Sequence, residues 1–205
     1  MMGETAPYFQ PKRAISPLQF IREMVCVNKR FKRTKTAKRD CKGKIKLDGY
    51  AHHPYDFTVA PTKRRSRRDD VTMANLDALN ATLEKLRKKG LIKPSVKKIP
   101  LYLTEHGYYV KGPQTPAGRG LTESKRKKYT VKAFDIAQRN KRVKAMLYYV
   151  LVSPPFGHPS DFFDLGLIAT NGTERGAFTA LRNWIQTAIA SGRVKRPGSC
   201  SGVSC

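Results

Sequence analysis

Acidic side chains are scarce in this chain of 205 residues: 15 Asp and Glu stand against 41 Lys and Arg, a formal net charge of +26. That imbalance makes nucleic acid the first partner to weigh, because clustered cations release counterions from a phosphate backbone. Cysteine is nearly missing. Cys26, Cys41, Cys200 and Cys205 are too few for a disulfide scaffold, and their spacing fits no paired zinc knuckle, so no metal is expected. No apolar run approaches the ~18 residues of a membrane span, which removes a membrane partner. Met1–Thr5 lacks the charged-then-apolar layout of a secretory leader. Tryptophan occurs once, yet 9 Phe, 9 Tyr and a hydrophobic content of 40% supply a core and exclude full disorder. The length suits one ordinary domain or two small ones.

The positive charge is clustered. Ten basic residues and one acid, Asp40, lie between Lys29 and Lys46. Further groups are Lys63–Arg68, Lys125–Lys128 and Arg193–Arg196. Such groups are either solvated surface or a nucleic-acid footprint, and charge speaks to adhesion rather than to fold.

Periodicity divides the chain into alternating elements. Met1–Pro7 reads as the tail of a strand. Ser16-Pro17 is an N-cap with proline at the first helical position, followed by helical spacing over Leu18–Val25. Asn28–Lys46 has no period and reads as loop, and Lys44–Tyr50 as a strand. Leu76, Leu79, Leu83 and Leu86 form one stripe on a helix from Thr72 to Lys89, capped by Asp70 or Thr72 and closed by Gly90. Ile99–Thr104 is strand-like. After a Gly/Pro loop at 111–120 comes a helix over Ser124–Asn140, with Val131, Phe134, Ile136 and Ala137 inward. Ala145–Val152 is a near-continuous apolar run suited to a strand covered on both faces. The last helix runs from about Arg175 to Ser191, and residues 193–205 read as a disordered tail.

Strand, helix, four times over, predicts an α/β fold: a parallel sheet of right-handed units with helices outside. Active sites of such folds lie beyond the carboxyl ends of the strands. The polar residues placed there are Glu4, His52, His53, Tyr55, Glu105, His106 and Ser153. Glu105, directly after an apolar strand, is either a buried nucleophile or base, or a helix cap or ion-pair partner of a lysine.

Leu101-Tyr-Leu-Thr-Glu105-His-Gly-Tyr108 resembles the end of the seventh barrel strand in clan A glycoside hydrolases, the retaining, cellulase-like TIM barrels, where the Glu is the nucleophile. Asp48-Gly-Tyr-Ala-His-His53-Pro-Tyr55 resembles the end of strand six, and Met1-Met-Gly-Glu-Thr-Ala-Pro7 the fifth strand of a secreted, actinobacterial-type branch. Asp70-Val-Thr-Met-Ala-Asn75 resembles the start of the sixth helix, Arg139–Val143 the approach to strand eight, and Phe163-Asp-Leu-Gly-Leu167, Asn171-Gly172 and Ala177-Phe178 the closing turn and last helix. The match is colinear over nearly the whole chain. It implies a partial (β/α)8 barrel, strands five to eight with their helices, over residues 1–192.

The resemblance implies that Glu105 attacks the anomeric carbon of a carbohydrate substrate, with no cofactor. His53, Tyr55 and His106 would bind substrate beside it, and Tyr148 and Tyr149 would offer a stacking face. His53 reads equally as a satisfied core imidazole, and of two adjacent strand tyrosines one must face the helices. The family's general acid comes from an Asn-Glu pair ending strand four. No such dipeptide occurs here, and Glu4 stands on the next strand, so the chain alone is expected to be an inactive fragment. An N-terminal half barrel, or a homodimer through open strand edges, would complete it. The resemblance also implies secretion and a Cys26–Cys41 disulfide. The rival reading is a basic tandem winged-helix nucleic-acid binder, with Leu79–Ile92 as recognition helix and Tyr102–Gly107 as wing.

Overall fold

The computed structural model describes residues 2–7, 14–112, 120–155, 157–158 and 163–195. The strands are β1 (Met2–Thr5), β2 (Ile45–Leu47), β3 (Tyr50–His52), β4 (Ile92–Pro94), β5 (Leu101–His106) and β6 (Val143–Tyr148). The helices are α1 (Pro17–Met24), α2 (Ala37–Asp40), α3 (Leu76–Lys88), α4 (Glu123–Arg139) and α5 (Gly176–Ala190).

The main sheet is parallel throughout, in the order β1-β3-β5-β6. Spatial order therefore follows chain order, with none of the reversal that marks a doubly wound sheet. A wing is an antiparallel hairpin, whereas Tyr102–His106 is a central parallel strand, so the winged-helix reading is overturned. Leu101 and Leu103 pack in one cluster with Leu18 and Ile21 of α1, Leu79 and Leu83 of α3, and Ala133 and Ala137 of α4. Tyr102 and Thr104, on the other face of β5, are only half-buried. The helices thus cover the sheet from one side.

Helix boundaries follow local chemistry. Pro17 opens α1 as expected, but the Ser16 hydroxyl donates to Asp70 (2.6 Å) instead of capping. Thr72 caps a short 3-10 turn, Met73–Asn75, in a reciprocal box with Asn75, and α3 follows. The leucine stripe Leu76, Leu79, Leu83 and Leu86 is buried, and Gly90 ends the helix at φ 66°. On α4 the buried face is Arg126, Thr130, Ala133, Phe134 and Ala137; Val131 and Ile136 sit at its margin.

Four sequence expectations are corrected. The strand expected over Lys44–Tyr50 is two strands: β2 pairs with β4 in a separate two-stranded sheet, while β3 joins the main one. The loop expected over Asn28–Lys46 contains α2, held by buried Ala37. The run Ala145–Val152 is not covered on both faces. The strand starts at Val143, stops at Tyr148 and forms a sheet edge, leaving Leu147, Leu151 and Val152 about half exposed. Residues 193–195 are not loose: the Arg193 and Val194 amides donate to Ala188, and the Arg193 guanidinium lies 3.7 Å from Asp135. Residues 196–205, with Cys200 and Cys205, lie outside the described residues, as does the 113–119 part of the Gly/Pro loop.

Cys26 and Cys41 are disulfide-bonded across 15 residues. A loop of that length ties down about 3 kcal/mol of unfolded-chain freedom. Replacing both with Ser should lower unfolding free energy by about 2–4 kcal/mol in denaturant titrations. An unchanged midpoint would show that the loop needs no cross-link.

Candidate active site

Three parallel strands bring five polar side chains to one pole. β1 delivers Glu4 through a bulge: Gly3 pairs with Ala51 and Thr5 with His52, so Glu4 is extra. Glu4 itself has φ 61°, a conformation that strains any side-chain-bearing residue. Gly3 permits the bulge, since a Cβ there would stand 2.0 Å from the Ala51 carbonyl oxygen. The chain after β3 delivers His53 and Tyr55, and β5 delivers Thr104 and Glu105.

Glu105 is the shared partner. The Tyr55 hydroxyl donates to its Oε2 at 2.9 Å, and His53 Nδ1 lies 3.5 Å from the same oxygen. On the far side of the imidazole, Nε2 pairs with Glu4 Oε2, which also accepts from the Thr104 hydroxyl at 3.0 Å. His53 thus sits between two carboxylates. Burial, then the Glu105 charge, pushes the Tyr55 hydroxyl well above the usual phenol range, so it stays protonated and donates. Glu105 keeps 34% of its side chain exposed, which leaves it open to a ligand.

An aromatic wall stands behind the acid. Tyr55 stacks on Phe57 (4.5 Å between centroids), Phe57 meets Tyr109 (4.8 Å), and Phe163 packs edge-on against Phe57 (5.2 Å). Tyr149 is 39% exposed and borders Phe163, beside a cleft of about 340 Å³ also lined by Pro154 and His158. Gly107 lets the turns after β5 and β6 meet, since a Cβ there would be 2.4 Å from the Tyr149 carbonyl oxygen.

The structure separates the sequence-selected residues. His53, Tyr55 and Glu105 are together, and Tyr149 lies at the edge of the same pole. Tyr148 points elsewhere: its hydroxyl accepts from Arg126 Nη2 at 3.3 Å. His106 is also set back from the exposed surface of the site. It is fully buried between Tyr55 and Tyr108, with neither nitrogen in a well-formed hydrogen bond. Burial, opposed in part by the Pro54 backbone, pushes it down to about 3. His52 is buried and neutral in the same way, pushed down to about 4. Its Nε2 donates to the Val71 carbonyl (2.9 Å), which fixes Nδ1 as acceptor from the Thr5 hydroxyl (3.0 Å). Ser153 is structural, donating to Asp164 at 2.6 Å.

Sequence reasoning missed Thr104, Phe57 and Tyr109 and set Glu4 aside. The available signal was their position: each lies within five residues of a strand's carboxyl end. Among the described residues, no group of three His, Cys, Asp or Glu is arranged to hold a metal ion, and no helix is long and apolar enough to cross a membrane.

No family model and no curated protein matches this chain. Among solved structures it is similar to a family 39 glycoside hydrolase from the gut symbiont Bacteroides cellulosilyticus, at 15% identity and TM-score 0.46, covering 65% of this chain and 26% of that one. It is similar to a glycoside hydrolase family 2 β-galacturonidase from Eisenbergiella tayi, at 12% identity and TM-score 0.46, covering 68% and 24%. It is also similar to a family 5, subfamily 18 glycoside hydrolase from Bifidobacterium longum, at 15% identity and TM-score 0.42, covering 74% and 32%. The chain therefore spans about a quarter to a third of the length of these structures.

Proposed function

We propose that this protein is the strand-five-to-eight half of a retaining, cellulase-like glycoside hydrolase barrel of clan A, in an exported, actinobacterial-type branch, acting on a β-linked glycan. The observation that carries this reading is the contact of Tyr55 with Glu105 at the carboxyl ends of neighbouring parallel strands. A sheet in chain order, covered by helices on one face and open at both edges, supports a barrel wall over a doubly wound domain. The edges, β1 and β6, would be closed by an N-terminal half barrel or, failing that, by a second copy.

In the proposed reaction, Glu105 attacks the anomeric carbon, the glycosidic bond breaks, and a glycosyl-enzyme ester forms that water then hydrolyses. Tyr55 and His53 both contact Oε2, which leaves Oε1 for attack. Glu4, held by His53 and Thr104, positions His53. In this reading the proton donor lies outside strands five to eight, so the chain alone should be inactive on an unactivated glycan and should react only with substrates whose leaving group departs without a proton.

That gives the test. Dinitrophenyl β-glycosides (glucoside, galactoside, mannoside) expel an anion that needs no protonation, whereas nitrophenyl analogues benefit from an acid. We expect the isolated chain to prefer the former by about 10²–10⁴-fold, the range of a general-acid contribution. Equal rates for the two leaving groups, or release from neither, would contradict the proposal.

A further inference from the structure

The ion pairs divide the basic residues into two populations. Among the described residues, every carboxylate ion pair is made by Arg or His. Arg65 pairs with Asp56 and Asp70, Arg64 with Asp77, Arg87 and Arg142 with Glu84, and Arg175 with Asp164. No described lysine has an acidic partner within 4 Å. Most of the acids are thus held by arginine, and most of the lysines have no carboxylate in contact, although Lys88 lies within the field of Glu84.

Six of those lysines gather at one pole. β2 and β4 pair with Lys46 opposite Lys93, both exposed. The Lys44 ammonium lies 3.7 Å from the position a Cβ on Gly90 would take, so it stands over the turn that follows Lys88 and Lys89. Lys42 and Lys44 line a shallow depression of about 250 Å³ with Cys41, Ile45 and Leu91. The disulfide braces the segment carrying them. β2 ends three residues before Tyr50, and Tyr50 pairs with Leu101 at the start of β5. This surface therefore lies at the amino ends of the strands, opposite Glu105.

We propose that this lysine pole, Lys42, Lys44, Lys46, Lys88, Lys89 and Lys93, is an anchoring surface for a linear acidic polysaccharide. Six ammonium groups in an open, nearly flat arrangement are point charges without the forked geometry that reads phosphate pairwise. The cross-link beneath them belongs to an oxidising environment such as the cell exterior, which favours an extracellular polyanion over an intracellular one. The anchor is independent of the chemistry at the other pole, and stands or falls separately from Glu105.

The experiment uses the whole chain and polygalacturonate as probe, with neutral dextran as control, at about 50 mM and about 200 mM salt. A variant with Lys42, Lys44, Lys46 and Lys93 changed to Gln is compared with one carrying the same substitution at exposed Lys63, Lys125, Lys128 and Lys141. We expect the first to bind polygalacturonate at least about tenfold more weakly and the second to stay within about threefold of the parent. Both should keep the parent's circular dichroism and melting curve, since the changed side chains are exposed. Equal losses in the two variants would reduce the effect to net charge and overturn the pole. Tighter binding of random duplex DNA through the same four lysines would overturn the glycan assignment.

Discussion

Acidification from pH 7 to pH 4 is expected to strip this protein of about 3 kcal/mol for each of two histidines, His52 and His106. Burial holds the first down to about 4 and the second to about 3. In the unfolded chain both titrate near ~6.5. Above that pH both states are neutral and neither residue biases folding. Below it the unfolded chain takes up protons that the folded protein refuses, so stability falls as pH drops from about 6.5 toward 4 for His52 and 3 for His106. The effect rests on geometry: His52 donates to the Val71 carbonyl and accepts from Thr5, while His106 is enclosed by Tyr55 and Tyr108. Denaturant titrations at a series of pH values give the loss, and native-state NMR of the imidazole C–H signals gives the cause. Neither ring should titrate above about pH 5 in the folded protein; a midpoint near 6.5 for either would contradict its burial.

The alternation of strands and helices was legible because hydropathy periods of two and 3.6 survive in the central elements. The leucine stripe of α3 and the Leu101–Leu103 strand are instances. What the periods concealed has physical causes. The buried face of α4 begins with Arg126 and Thr130, polar side chains that a hydropathy reading assigns to solvent. β6 is as apolar as a covered strand, but its openness depends on which neighbour sits beside it, and that is a property of assembly. β4 is three residues long, too short to show a period, and the sequence assigned it to no element of the sheet.

The site was legible in part. Glu105 and the His53-Pro-Tyr55 turn follow strands of opposite sequence character, yet parallel pairing of β3 with β5 puts their ends side by side. Glu4 was harder to see, because its reach toward His53 depends on the bulge at Gly3, and one inserted residue reverses the face a strand presents. The directions of Tyr148 and His106 were hidden too, because each closes its strand beside a register shift between β5 and β6, where alternation no longer tells which face a side chain takes.

Replacing Arg126 should be the most damaging single substitution among the turns that follow the parallel sheet. Its guanidinium is wholly buried and donates to the carbonyls of Tyr108 (3.2 Å), Leu165 (3.2 Å) and Gly166 (2.9 Å), to Tyr148, and to Glu123 at 2.8 Å. It therefore fastens the turn after Glu105 to the segment after β6, two of the three segments that carry the aromatic wall. Arg126→Met keeps the stem's packing but leaves the Tyr108 and Leu165 carbonyls without their donor, while Gly166 keeps only Arg175 and Glu123 only the Ala177 amide. The expected loss is about 3–5 kcal/mol, seen as a fall in melting temperature of about 10 °C or more. Arg126→Lys should recover little, because one ammonium cannot span acceptors on two separate turns. A melting point within about 2 °C of the parent for Arg126→Met would show that the turns are held by other contacts.

The measurement that bears most directly on the central claim is peptide mapping by mass spectrometry after exposure to a dinitrophenyl β-glycoside carrying fluorine at the sugar's second carbon. That substituent slows hydrolysis of the ester more than its formation, so the intermediate accumulates. One sugar is expected, esterified to Glu105, with none on Glu4 and none in the Glu105→Gln variant. Labelling that persists in Glu105→Gln, or no labelling with any of the glucoside, galactoside and mannoside probes, would contradict the assignment of Glu105 as nucleophile.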